Sequence, residues 1–247
     1  MSIQRFFGHD IDYSKAATMF TIHHLFYVIC AVIAVGTAIL FGKKIHDLTK
    51  EDVIKRGLII TLIILEVAYH IHNFTYPRLS LPLHICSIAV FLNIWLLLTD
   101  RQDVFKYAFF FGTLGGLMAL VFPNSLGYTY YNVRYYHFML IHMIIIFIPL
   151  YYYKAYDYRV EYSDLLTVYK HAFMIGVVIY LINAILLRLG FDANYWFINY
   201  VPTNVEELFP LYQLYVFVHL SAVFITMNIL YYVTHYVPDT LNLKPGN

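Results

Sequence analysis

The chain is 247 residues long, 61% hydrophobic and only 13% charged, with a formal net charge of +1. A mean hydropathy of +0.64 is well above that of a water-soluble globule of this size, and scattered basic residues at near-neutral net charge exclude a nucleic-acid footprint. A hydrocarbon core about 30 Å thick takes roughly 20 apolar residues per crossing, and the composition predicts an all-α polytopic membrane protein. Residues 1–20 read as a short extracytoplasmic segment without the features of a signal peptide. Apolar runs follow at 21–41, 58–74, 81–98, 107–122, 138–153, 169–189 and 211–233, a bundle of about seven transmembrane helices. The second, fourth and fifth runs are short or carry polar residues, which predicts tilt, a break or extension by aromatic ends. Gly112 and Gly116 form a GxxxG in the fourth run and predict close helix packing. Without repeats or linkers, 21–233 reads as one transmembrane domain, followed by a cytoplasmic tail over 234–247.

Charge sets the expected orientation. With seven spans, the loops at 42–57, 99–106 and 154–170 and the C-terminal tail share one side and hold eleven basic residues, from Lys43 to Lys244. The opposite side holds five: Arg5, Lys15, Arg78, Arg134 and Arg188. The positive-inside rule then places the N-terminus outside and the C-terminus in the cytoplasm. The protein is expected to be a multi-pass protein of the cell membrane. Tyrosines flank the fifth run at both ends, where their amphipathic rings favour the headgroup level.

Ionisable groups inside lipid are expensive and tend to face the bundle interior. Glu66, His70 and Asn73 stand at i, i+4 and i+7 of the second helix and share one face. The third run opens Leu81-Pro82-Leu83-His84-Ile85-Cys86-Ser87, which places Pro82 in a first helical turn and His84 and Ser87 on one face. Cys86, two residues on, points about 200° away from His84 in a regular helix. His137 stands at the mouth of the fifth helix and His142 about one turn deeper. The seventh presents Tyr212, Tyr215, His219 and Thr226, while Asn183 and Arg188 belong to the sixth and the Asn194 loop follows it. In the expected orientation His70, Asn73, His84, Cys86, His142, Arg188, Asn194 and His219 all fall in the outer half of the membrane, with Glu66 near the midplane. One outward-facing cavity would gather them. Cys30 and Cys86 both lie in apolar runs and read as core thiols unless a partner helix says otherwise.

At Leu81-Pro82-Leu83-His84-Ile85-Cys86 the chain resembles the YwaF-like family of bacterial integral membrane proteins, related to the animal transmembrane protein 164 family. The resemblance continues through Gly115 to Pro123, His137 to Pro149, Asn194 to Pro202 and Pro210-Leu211-Tyr212, over roughly residues 60 to 235. For the animal branch it implies acyl transfer between phospholipids through a cysteine and a histidine. His142 resembles the family's fifth-helix histidine. The family cysteine matches Leu83, and the cysteine of this chain, Cys86, stands three positions later.

The leading expectation is acyl transfer at the outer leaflet on a phospholipid or lipidated substrate, including lipoprotein, with no cofactor. His142 would be the general base, with His84 or a Cys86 thiolate as its partner. Glu66 and His70 would orient or charge-balance the site, Asn73 or Asn194 would donate to a developing oxyanion, and Arg188 and His219 would line the cavity. One rival is a metal-dependent lipid hydrolase with zinc held by His84, His142 and His219 from separate helices, although no HxxxH occurs. Another is a transporter or ligand-binding membrane protein whose polar stripe lines a pathway, without the inverted repeat common in such folds. A retinal protein is excluded, since the seventh helix has no lysine for a Schiff base.

Overall fold

The computed structural model describes residues 3–12, 20–74, 80–123, 127–201 and 211–240, with side chains of the final helix described to 236. Lys15, Arg78 and Lys244 of the charge count, and Pro202 and Pro210 of the family-like motifs, lie outside the described residues. The described residues are helical without strands, and each of the seven apolar runs forms a helix. After a short α1 (Ile3–Phe7) come α2 (Ile22–His46), α3 (Glu51–Phe74) and α4 (Ile85–Thr99). A single rod follows, made of α5 (Gln102–Ala108), a π-helical turn (Phe109–Leu114) and α6 (Gly115–Val121). Then come α7 (Val133–Ala155), α8 (Tyr162–Arg188) and α9 (Tyr212–Thr240).

Five of these segments are long and apolar enough to cross a membrane: α2, the α5–α6 rod, α7, α8 and the 212–236 stretch of α9. α3 has the length, but its first two turns carry Glu51, Asp52, Lys55 and Arg56. α4 has only 15 residues, about 22 Å at 1.5 Å per residue. The expected first-turn position of Pro82 is incorrect. A hydrogen bond from Leu83 N–H to the Leu81 carbonyl at 2.8 Å closes a tight turn around Pro82, and α4 begins only after it. The expected helical relation of His84 to Ser87 and Cys86 falls with it, because His84 is the N-cap with extended backbone, φ −66° and ψ 152°.

Local signals explain the other ends. The Thr21 hydroxyl accepts from His24 N–H at 3.2 Å to start α2, and Lys43, Lys44 and His46 sit in its last turn, where cations suit the helix dipole. Asn132 caps α7 by accepting from Arg134 N–H at 2.8 Å, so the fifth helix starts five residues before its apolar run. A Glu161–Asp164 capping box starts α8.

The chain divides into two compact units, Met1–Arg159 and Val160–Asn247. In the first, α2 and α7 share the most extensive helix contact. α2 buries Tyr27, Ala31, Ala34, Ala38 and Gly42, a stripe at helical spacing whose small residues let backbones approach. The Tyr27 hydroxyl donates to the Tyr135 carbonyl at 2.9 Å. The GxxxG forms a second seam on α7. A Cβ on Gly112 would lie 2.6 Å from the Ile145 carbonyl oxygen, and one on Gly116 would lie 2.5 Å from Ile146 Cγ1 and 3.0 Å from the His142 carbonyl oxygen. Pro149 has no N–H to offer Ile145, so that carbonyl is free of its usual helical partner, and Gly112 settles against it.

One end of this unit is tied by a closed polar network. Lys55, buried in α3 rather than displayed on a loop, donates to Asp100 at 2.6 and 2.8 Å and to the Tyr156 hydroxyl at 2.7 Å. Tyr152 donates to the same Asp100 carboxylate, Tyr158 to the Asp100 carbonyl, and Tyr151 and Tyr156 to Glu51. Asp100 is left-handed, with φ 50°, so it both ends α4 and turns its carboxylate toward α3.

In the second unit, α8 and α9 expose apolar side chains such as Phe173, Val177, Leu181, Phe217 and Ile225, as lipid-facing helices do. Asn183, fully buried in α8, clasps the following loop: its Nδ2 donates to the Tyr195 carbonyl at 2.9 Å and to Asn199 Oδ1 at 2.7 Å, while its Oδ1 accepts from Tyr195 N–H at 3.0 Å.

Two stability predictions follow from these contacts. Gly116→Ala overpacks the seam and lowers stability by about 1–3 kcal/mol, whereas Gly36→Ala, with nothing within 4 Å of the new Cβ, does not; thermal unfolding in detergent compares them. Asp100→Ala leaves the Lys55 ammonium buried without its closest carboxylate and costs about 3 kcal/mol. Adding Lys55→Met to it costs less than the sum of the two single changes, a double-mutant cycle that denaturant titration in mixed micelles reads out.

Candidate functional site

At the other end of the first unit, polar side chains from α3, α4 and α7 gather beside the α6 glycines. On α3, His70 Nδ1 lies 3.1 Å from the Ser80 carbonyl and its Nε2 lies 3.2 Å from Glu66 Oε1. A carbonyl only accepts, so Nδ1 carries a proton, and the contact to Glu66 requires a second proton between nitrogen and carboxylate. Whether that proton sits on the ring or on the carboxyl, the Glu66–His70 pair has no net charge. Asn73 extends the same face and donates to the Ser80 hydroxyl at 2.9 Å, so the α3 stripe holds the stretch that leads into α4.

His142 is 4% exposed. Its Nδ1 lies 2.6 Å from the Phe138 carbonyl one turn back, which makes Nδ1 the donor and leaves Nε2 with the free lone pair of the neutral ring. His137 spends both nitrogens: Nε2 donates to the Leu65 carbonyl of α3 at 2.8 Å, and Nδ1 accepts from Arg134 Nη1 at 3.0 Å. On this geometry His142 has a basic nitrogen available, whereas His137 is a brace.

Arg134, expected among outer loop charges, is 7% exposed in the first turn of α7. Its guanidinium lies 4.2 Å above the Tyr69 ring and 5.9 Å from the Tyr128 ring. The signal in the sequence was Asn132, a good N-cap that moves the helix start ahead of Arg134 and puts it one turn before His137. A run of apolar residues does not reveal this, because Arg134 and the tyrosines precede the run.

Cys86 is half-buried in the first turn of α4, within electrostatic reach of Glu66 and Arg134. α6 touches both this corner and the His142 turn: a Cβ on Gly115 would lie 3.1 Å from Ile85 Cγ2, and one on Gly116 would lie 3.0 Å from the His142 carbonyl oxygen. His84, half-buried at the N-cap, belongs to the same corner. Glu66, His70, Asn73, His84, Cys86 and His142 thus all belong to one compact unit.

Arg188, Asn194 and His219 belong to the other unit. Arg188 is exposed at the end of α8. Asn194 closes its own loop, its Nδ2 donating to the Tyr200 carbonyl at 3.0 Å and its Oδ1 accepting from Asn199 N–H at 2.9 Å. Trp196 and Phe197 of that loop have positive φ, 61° and 56°. Two tyrosines of α9 hold it, Tyr212 donating to the Ile198 carbonyl and Tyr215 to the Phe197 carbonyl. His219 lies one turn beyond Tyr215, with ring centroids 5.7 Å apart. Burial, helped by its 2.7 Å bond to Asp192, pushes the Tyr200 phenol up to about 12, so it remains a donor at neutral pH. Among the described residues no three His, Cys, Asp or Glu side chains converge to hold a metal ion.

A model of the TMEM164 family matches residues 19–231. The chain belongs to the TMEM164 family. No curated protein and no solved structure matches it. The match to the TMEM164 family spans the helices from α2 into α9 and takes in both the histidine-bearing cluster and the Asn183 clasp. Among the expected site residues, it therefore contains every one.

Asn183→Leu removes three hydrogen bonds, two of them from the buried Tyr195 backbone, and frees the loop. In a Trp95→Phe background, Trp196 is the sole tryptophan. Its emission shifts to the red on Asn183→Leu, whereas an unchanged spectrum would mean that the clasp does not hold the loop.

Proposed function

We propose that this TMEM164-family protein is a multi-pass acyltransferase of the cell membrane, with its N-terminus outside, acting on phospholipid or lipidated substrates in the outer half of the bilayer. The observation that carries the reading is the His142 imidazole, buried on α7 with Nδ1 committed to a carbonyl and Nε2 free to take a proton. The family resemblance supplies the reaction class, and the buried polar groups beside His142 supply a setting for it.

In the direct route, Nε2 of His142 removes the proton from an acceptor hydroxyl or amine as that group attacks an acyl ester. The tetrahedral adduct collapses, and the same nitrogen returns the proton to the departing alkoxide. In the two-step route His142 takes the proton of the Cys86 thiol, the sulfur attacks the acyl ester, and that proton passes to the departing alkoxide; the acceptor, deprotonated by the same nitrogen, then attacks the thioester, and its proton returns to the released thiolate. His84 is the alternative partner to Cys86. The Glu66–His70 pair orients the α3 side without adding charge, and Asn73 is the candidate oxyanion donor from α3.

Lipid analysis of cells making wild type or His142→Ala at matched folded levels tests the reading. Loss of a general base slows such a step about 10²- to 10⁴-fold, so the acyl-chain distribution on phospholipids or lipoproteins differs between the two. Identical distributions would sink the transferase. Cys86→Ala with full activity removes the thioester and leaves the direct route.

A further inference from the structure

Arg134 has no role in the chemistry above, yet it is the costliest group in the cluster to bury. A desolvated guanidinium needs acceptors and a countercharge. Its bonding within the described residues is one contact, from Nη1 to a neutral histidine nitrogen at 3.0 Å, and the buried Nε has no partner. Glu66 lies within electrostatic reach, but it shares a proton with His70, and that pair carries no net charge. His137 donates through its other nitrogen to a carbonyl and is neutral too. The rings of Tyr69 and Tyr128 soften the charge through their faces without cancelling it. The pocket around Arg134 therefore carries an unbalanced positive charge, and the positive end of the α7 dipole adds to it.

We infer that Arg134 is the receptor for the phosphate of a phospholipid substrate. A guanidinium edge with open N–H donors matches two phosphate oxygens. The sequence around it suits that ligand as well: Tyr128, Tyr130, Tyr131, Tyr135 and Tyr136 flank Arg134 in the chain, a residue type that favours the headgroup level, while His142 lies eight residues further along α7, about 12 Å along the helix. A lipid held by its phosphate at Arg134 extends its glycerol and acyl esters in the direction of His142. The inference rests on the acyl-transfer reading of the same cluster and adds to it the residue that holds the substrate's phosphate.

The test is a binding measurement that needs no turnover. The full-length protein in maltoside micelles is titrated with dihexanoylphosphatidylcholine, with dihexanoylglycerol, which has the same chains without phosphate, and with inorganic phosphate. Wild type binds the phosphatidylcholine about ten- to a hundredfold more tightly than the diacylglycerol. Arg134→Gln abolishes the difference, and Arg134→Lys, which keeps the charge but loses the fork, falls between. Inorganic phosphate that neither binds nor competes at millimolar concentration identifies the lipid headgroup as the ligand; inorganic phosphate that binds with the same dependence on Arg134 and displaces the lipid identifies a free-phosphate site and overturns the lipid assignment. Equal affinity of wild type for the two lipids overturns the proposal without reference to any variant. Phosphate discrimination that persists while His142→Ala leaves cellular lipids unchanged removes the transferase and keeps the receptor.

Discussion

The first unit depends on how closely α6 and the π turn approach α7. Gly112 and Gly116 bring one backbone against another at the Ile145 and His142 carbonyls. Pro149 makes room for the first contact by withholding the N–H that would otherwise engage Ile145. Any side chain at these glycines would separate the helices and shift the segment of α7 that carries His142. The position of the imidazole is thus set through its own backbone, and its ring is then locked by the Phe138 carbonyl.

The two ends of α3 handle buried charge differently. At Lys55 the ammonium meets a carboxylate, a phenol and two aromatic faces, and the tyrosines around it complete the coordination of Asp100 and Glu51. That network is closed and reads as structural. At the other end Glu66 shares its proton with His70, His137 is used up as a brace, and Arg134 has unfilled donors. Open donors and a histidine with a free nitrogen distinguish this end from the closed one.

Much of this was legible before any coordinates. The Glu66, His70 and Asn73 stripe shares a face because a helix repeats every 3.6 residues, and its three members bond one another or Ser80 as that spacing implies. Less legible was the start of α4: helical reasoning ran through Pro82 and His84, but the turn at Leu81 to Leu83 delays the helix to Ile85. Lys55 and Arg134 were read as loop charges because each lies beyond an apolar run. Both are inside helices, where tyrosines hold them.

Composition and periodicity by themselves determined the membrane class, the all-α fold, the seven helical segments and the small-residue seam, since these follow from the length of an apolar run and the pitch of a helix. Tertiary structure decided which nitrogens of His137 and His142 are spent, which charges cancel, and that Arg134, among the described residues, is buried without a carboxylate bonded to it. Those depend on contacts between residues far apart in the chain, such as His137 with the Leu65 carbonyl, and no local pattern encodes them.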